Sequence, residues 1–176
     1  MGETQRLAKV LRQHLEGLQA FRVTGVPASG RREADSKEAR LIRLTEEVER
    51  CRRCPLYRTR THAVVSDGSP SARLVFVGEA PGRDEDLAGT PFVGAAGQLL
   101  TKMIEAIGMR REEVYICNVL KDRPPGNRTP LPEEIAACLP FLQEQLAVVR
   151  PRVICALGAV AARAFLGPSV SITNIR

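Results

Sequence analysis

Leu7, Val10, Leu11, Leu15 and Leu18 recur three and four positions apart, so about the first twenty residues predict an amphipathic helix. From Gly25 to Asp35 the chain turns to small and charged residues that cannot bury a face, the pattern of a linker. A second helix is expected from Asp35 or Ser36, where Asp35 and Glu38 resemble a capping box, and Leu41, Leu44, Val48 and Cys51 fall on one stripe. Three short apolar runs then read as buried strands: Arg73 to Val77, Glu113 to Val119 and Arg152 to Leu157. Helical patterns separate them. One carries Leu99, Leu100, Met103, Ile104 and Ile107 and ends at Gly108; the other carries Ile135, Leu139, Leu142 and Leu146 after a Pro-rich start at Thr129. Strand and helix in alternation predict an α/β protein with a parallel sheet and right-handed crossovers, and no repeat is present. The chain thus divides into residues 1–35, a helix and linker, and residues 36–176, the body.

Its 176 residues are 44% hydrophobic, enough for one ordinary domain. The longest nearly unbroken apolar run, Val153 to Ala162, is ten residues and is closed by Arg163. That is far short of the roughly 18 to 20 a membrane span needs. The first residues, Met1-Gly2-Glu3-Thr4-Gln5-Arg6, are polar and lack the apolar core of a secretion signal. A cytoplasmic protein is expected. Five cysteines at irregular spacing argue against a disulfide framework and leave thiols for metal ligation or burial. A net charge of +6 is modest, but it keeps nucleic acid among the partners.

In an open parallel sheet, ligands bind beyond the carboxyl ends of the strands. After the first strand comes Gly78-Glu79-Ala80-Pro81-Gly82, a tight turn presenting Glu79, then Asp84-Glu85-Asp86 and Pro91-Phe92-Val93-Gly94. After the second come Asn118 and Lys121-Asp122-Arg123-Pro124-Pro125-Gly126-Asn127-Arg128. Taken singly, Phe92 reads as a core plug, Asn118 as a turn cap and Glu79 as a solvated loop carboxylate. Their coincidence on two strand ends favours a site. Cys51-x-x-Cys54 at a helix end lacks the preceding strand of a thioredoxin motif and the second Cys-x-x-Cys of a zinc ribbon.

From about Leu44 onward these segments, in this order, resemble the type 4 uracil-DNA glycosylases, iron-sulfur enzymes of the uracil-DNA glycosylase superfamily. Cys51-x-x-Cys54, the Gly78 to Gly82 turn, Pro91 to Gly94, Ala96-Gly97-Gln98-Leu99-Leu100, Val114-Tyr115-Ile116, Asn118-Val119 and Arg123 to Arg128 carry the likeness. It implies a three-layer α/β/α sandwich and hydrolysis of the N-glycosidic bond of uracil in DNA, leaving an abasic site. It also implies roles that the chemistry supports. Phe92 can stack on an extruded base, and the Asn118 carboxamide suits the N3–H and O4 of uracil but not cytosine. Glu79 is the catalytic candidate, orienting or deprotonating the water and stabilising a developing oxocarbenium ion. Gly78, Glu79 and Ala80 would line the base, and Glu85 would crowd the C5 position against thymine. Lys121, Arg123 and Arg128 would hold phosphates, weakening with salt.

The resemblance further implies a [4Fe-4S] cluster on four thiolates. Here Cys51, Cys54 and Cys138 supply three, and the remaining position is Asp122. Four outcomes stay open: Asp122 ligates through oxygen, a harder ligand than sulfur; the cluster keeps three irons; Cys117 substitutes; or no cluster forms. The favoured expectation is a cluster on Cys51, Cys54 and Cys138, with Asp122 or solvent at the last iron. Cys117 and Cys155 read as inert buried thiols. The family continues past the position of Arg176 with a fourth parallel strand and a His-Pro loop, whereas His14 and His62 are the only histidines here. The expectation is therefore three strands, a C-terminal truncation with an unpaired sheet edge, and activity reduced about 10² to 10³-fold. The rival reading is a non-catalytic DNA-binding or polymerase-associated paralogue.

Overall fold

The computed structural model describes residues 36–167. The expected N-terminal helix, the linker, Asp35 and His14 lie outside them. The first described helix, α1 (Lys37–Glu49), starts at Ser36, whose hydroxyl accepts from the Ala39 N–H at 3.1 Å. Then follow β1 (Ser66–Gly68), β2 (Leu74–Gly78), α2 (Arg83–Ala88), α3 (Ala95–Ala106), β3 (Tyr115–Asn118), α4 (Pro132–Val149), β4 (Val153–Ala156) and α5 (Ala159–Leu166). Single 3₁₀ turns occupy Pro55–Arg58, Arg111–Glu113 and Pro125–Asn127.

The sheet order is β1-β3-β2-β4. The three expected strands are parallel to one another, but the sheet is not purely parallel. β1 pairs antiparallel with β3, Asp67 opposite Ile116. This correction to a three-stranded sheet has a simple cause: Ser-Asp-Gly has no apolar alternation, so only its partner reveals it as a strand.

Alternate residues of β2 and β3 feed opposite layers. Val75, Val77, Tyr115 and Cys117 pack with Cys138, Leu142 and Val149 of α4 and Ala161 of α5. Phe76 and Ile116 point the other way, onto Leu100 and Ile104 of α3. Each such fully buried aliphatic side chain stabilises by about 1.5 to 3 kcal/mol. Leu44 and Val48 of α1 pack with Phe141 of α4 and Val65.

Two helical stripes differ from expectation. On α3, Leu100 and Ile104 are buried, while Leu99, Met103 and Ile107 are 60%, 52% and 47% exposed. On α4 the buried face is Glu134, Cys138, Phe141, Leu142, Gln145, Val148 and Val149. The expected Ile135, Leu139 and Leu146 lie only half-buried at its border. Glu134 and Gln145 can sit inside because each is satisfied. Glu134 accepts from Arg128 and the Leu131 N–H; Gln145 accepts from Lys121 and donates to Val65 and Tyr115. No helix among the described residues is long and apolar enough to cross a membrane.

Candidate active site

The β2–β3 register places Gly78 opposite Asn118, the last pair of the ladder. Parallel pairing runs on beyond the strands, with Val119 N–H donating to Gly78 C=O at 2.9 Å and Leu120 N–H to Glu79 C=O at 3.0 Å. Both strand ends therefore finish level. A Cβ at Gly78 would lie 2.4 Å from Asn118 Oδ1 and 2.5 Å from Phe92 Cζ. The carboxamide and the ring thus meet over one Cα that carries no side chain. Asn118 is 2% exposed.

Phe92 is held in an uncommon backbone conformation, φ 55°. Three constraints impose it. Gly97 of α3, having no side chain, leaves space for the Phe92 carbonyl to lie against its Cα, where a Cβ would fall 1.9 Å from that oxygen. Arg111 donates to Pro91 C=O at 2.6 Å while also binding Asp67 at 2.8 Å and Thr101 at 3.2 Å. Glu85 takes the Val93 and Gly94 N–H groups on one oxygen, at 3.0 and 2.8 Å, and the Gly82 N–H on the other at 3.1 Å. Glu85 therefore ties the Gly78–Gly82 turn to the Phe92 loop. Arg111 carried no sequence signal, because its three partners come from three separate segments.

Glu79 follows Gly78 and, with Ala80, Pro81, Gly82, Pro124, Asn127 and Arg128, lines a cavity of about 150 Å³. Burial raises the pKa of its carboxyl. The opposite wall is built internally: Arg123 Nε donates to Asn127 Oδ1 at 2.6 Å, and Arg128 forms a two-pronged pair with Glu134 at 2.6 and 2.9 Å.

Lys121 is not on that wall. It is 1% exposed, and its ammonium donates at 2.6 Å to both Asn118 C=O and Gln145 Oε1. A buried cation held by two acceptors cannot reach a phosphate, so the DNA-binding assignment of Lys121 is corrected to support of the Asn118 backbone.

Around the cysteines, three sulfurs each face a backbone N–H: Cys51 from Arg53 at 3.5 Å, Cys54 from Leu56, and Cys138 from Lys121. Burial, then the charges of Asp122, Cys51 and Glu134, raises the Cys54 thiol. Burial, then the charges of Cys54 and Asp122, pushes Cys138 up to about 11. Asp122 itself accepts from Arg60 Nη1 at 2.7 Å, with the two side chains 12% and 5% exposed. A surface hollow of about 510 Å³ at the end of α1, walled in part by Arg50, Arg53 and Phe141, touches Cys51 but none of the strand-end residues.

The family model described as the uracil DNA glycosylase superfamily matches residues 65–175, which include every one of these strand-end groups. A type-4 uracil-DNA glycosylase of Thermotoga maritima is 54% identical over 134 residues, 76% of this chain and 70% of that protein. This chain belongs to the type-4 uracil-DNA glycosylase family. The Archaeoglobus fulgidus type-4 enzyme is 57% identical over 120 residues, 68% of this chain and 60% of its own length. That of Pyrobaculum aerophilum is 50% identical over 126 residues, 72% and 64%. The chain thus spans about 60 to 70% of the length of these three glycosylases.

For the cluster that a type-4 glycosylase implies, the donor set fits in three places. A backbone N–H lies at each of Cys51, Cys54 and Cys138, a partner a ligating sulfur can use. Asp122 is engaged elsewhere, and among the described residues no three metal-binding side chains gather closely enough to share a single ion. Cys117 lies wholly buried within β3, its thiol raised by burial.

Proposed function

We propose that this chain removes uracil from DNA by hydrolysing its N-glycosidic bond, leaving an abasic site. The observation that carries the reading is the meeting of the Asn118 carboxamide and the Phe92 ring over Gly78, with Glu79 next in sequence. A uracil laid on Phe92 would present its edge to Asn118, whose oxygen accepts from N3–H and whose NH₂ donates to O4. Cytosine offers N3 as an acceptor and N4 as a donor, so the same amide would face it with unpaired groups.

Glu79 would hold the attacking water and, as an anion, stabilise positive charge on the sugar as the bond breaks. Gly78 and Ala80 would line the base, and the missing side chain at Gly78 lets Asn118 and Phe92 close in on the same point. Arg123 and Arg128, on the facing loop, would border the DNA backbone. Uracil-containing DNA is the partner, and the cytoplasm, where thiols stay reduced, is the compartment.

Cys51, Cys54 and Cys138 would hold an iron-sulfur cluster, which when bound cross-links the end of α1, the Pro55–Arg58 turn and α4. Its role there is structural. The donor residues sit on elements other than the turn bearing Glu79.

Incubation with single- and double-stranded oligonucleotides containing one uracil, followed by alkaline cleavage, tests the proposal. Strand scission at U:G but not at T:G or C:G is the expected outcome. Salt-sensitive binding without base release would favour the non-catalytic reading instead.

A further inference from the structure

Arg60 sits at a junction. One guanidinium nitrogen donates to Asp122 Oδ1 at 2.7 Å and to Val48 C=O at 3.3 Å, and the other donates to Glu49 C=O. It therefore closes the carboxyl end of α1, where cations are favoured. It also fastens that end, through Asp122, to the segment following β3. The guanidinium cannot lose its proton and is largely enclosed, so it requires a fixed counter-charge. Asp122 is the acidic group in contact with it among the described residues.

Given the cluster reading above, we propose that Asp122 is the counter-ion of Arg60 and not an iron ligand. The cluster is then held by Cys51, Cys54 and Cys138 alone, and one corner has no protein donor.

Three observations converge on this. The three thiols share a feature that Asp122 lacks, a backbone N–H directed at the donor atom. The Arg60 pair draws charge from the carboxylate, which is already a hard donor poorly matched to cluster iron. Moving Asp122 onto a metal would break the pair and leave a buried cation without its partner, which is strongly destabilising. An iron at the open corner is bound only by cluster sulfides and solvent, and it exchanges.

The test compares iron, sulfide and electron paramagnetic resonance of the full chain after anaerobic reconstitution with ferrous iron and sulfide, before and after mild ferricyanide. On oxidation a cluster with an open corner passes one electron to ferricyanide and releases one ferrous ion, leaving the paramagnetic three-iron form. Wild type and Asp122→Asn should lose that iron alike, at rates within about twofold, since the amide still accepts from Arg60; the lost counter-charge shows instead as a lower urea midpoint. Asp122→Cys should retain it under the same treatment. The proposal is overturned if wild type holds its last iron while Asp122→Asn releases it, which makes Asp122 a ligand. It is equally overturned if wild type assembles no cluster. Where a variant does not fold, wild type alone decides, since retention of its fourth iron through ferricyanide overturns the proposal. Because metal content is the readout, the result is independent of whether uracil is released.

Discussion

Gly78 and Asn118 face each other across the last rung of the β2–β3 ladder, and the space above Gly78 is taken by the Asn118 amide and the Phe92 ring. Gly78 ends strand β2 with a φ outside the left-handed region, so alanine is allowed there as far as the backbone is concerned. Its Cβ is not, with atoms at 2.4 and 2.5 Å. Gly78→Ala should therefore keep the fold but displace both side chains by about an ångström. Uracil release should fall by about 10²-fold, with a thermal melt close to wild type as the control.

Glu79 must be an anion to hold water or to stabilise a cationic sugar. Burial favours its protonated form, so its pKa lies above the ordinary glutamate value of about 4.3. The rate of base release should then fall on the acid side of the profile at a higher pH than an ordinary glutamate would give. Glu79→Gln should lower the rate by about 10² to 10⁴-fold and abolish that acid limb. A limb that persists in Glu79→Gln would assign it to another group.

Much of this arrangement is legible along the chain, for identifiable reasons. The β2 and β3 runs are buried on both faces and so read as continuous apolar segments, and their ends name Gly78 and Asn118 directly. The positions that mislead are polar residues inside the fold. Lys121 reads as a surface cation because nothing local announces Gln145, twenty-four residues away, as its acceptor. Gln145 and Glu134 break the apolar stripe of α4, so periodicity alone rotates that helix toward Leu139 and Leu146. The strand β1 is invisible for a related reason: its pairing comes from β3 and not from its own side chains.

Glu85 offers a sharp case. The family likeness gives it a steric task against thymine, while the structure commits both carboxylate oxygens to three backbone N–H groups. Glu85→Ala would orphan those donors and loosen the Phe92 loop, costing about 1 to 3 kcal/mol. The expected result is weaker uracil release with no gain of activity on T:G oligonucleotides. Release of thymine by the variant would restore the steric role.

Gly97 lies in the first turn of α3, where alanine would ordinarily strengthen a helix by up to about 1 kcal/mol. Here the sign should reverse. The Phe92 carbonyl occupies the Cβ position at 1.9 Å, and Phe92 is already held at φ 55°. Gly97→Ala should destabilise by about 1 to 3 kcal/mol, as overpacking does. Urea denaturation measures the cost, and a stabilised variant would contradict the contact.

Lys121 and Arg123 stand two residues apart and should behave oppositely. Burial lowers the pKa of the Lys121 ammonium, and the chain retains it because it satisfies two enclosed acceptors. Lys121→Met would leave Asn118 C=O and Gln145 Oε1 without that donor, at about 1 to 3 kcal/mol for each acceptor. The urea midpoint should fall. Since the ammonium never meets solvent, the dependence of DNA affinity on salt should stay as in wild type. Arg123 lies at the cavity loop, held by Asn127 through Nε alone. Arg123→Ala should leave the urea midpoint nearly in place and reduce the slope of log affinity against log salt by about 0.9 if it neutralises one phosphate. Measuring both quantities for both variants separates a cation that supports the pocket from one that meets the backbone. A salt slope altered by Lys121→Met at constant stability would return Lys121 to the DNA interface.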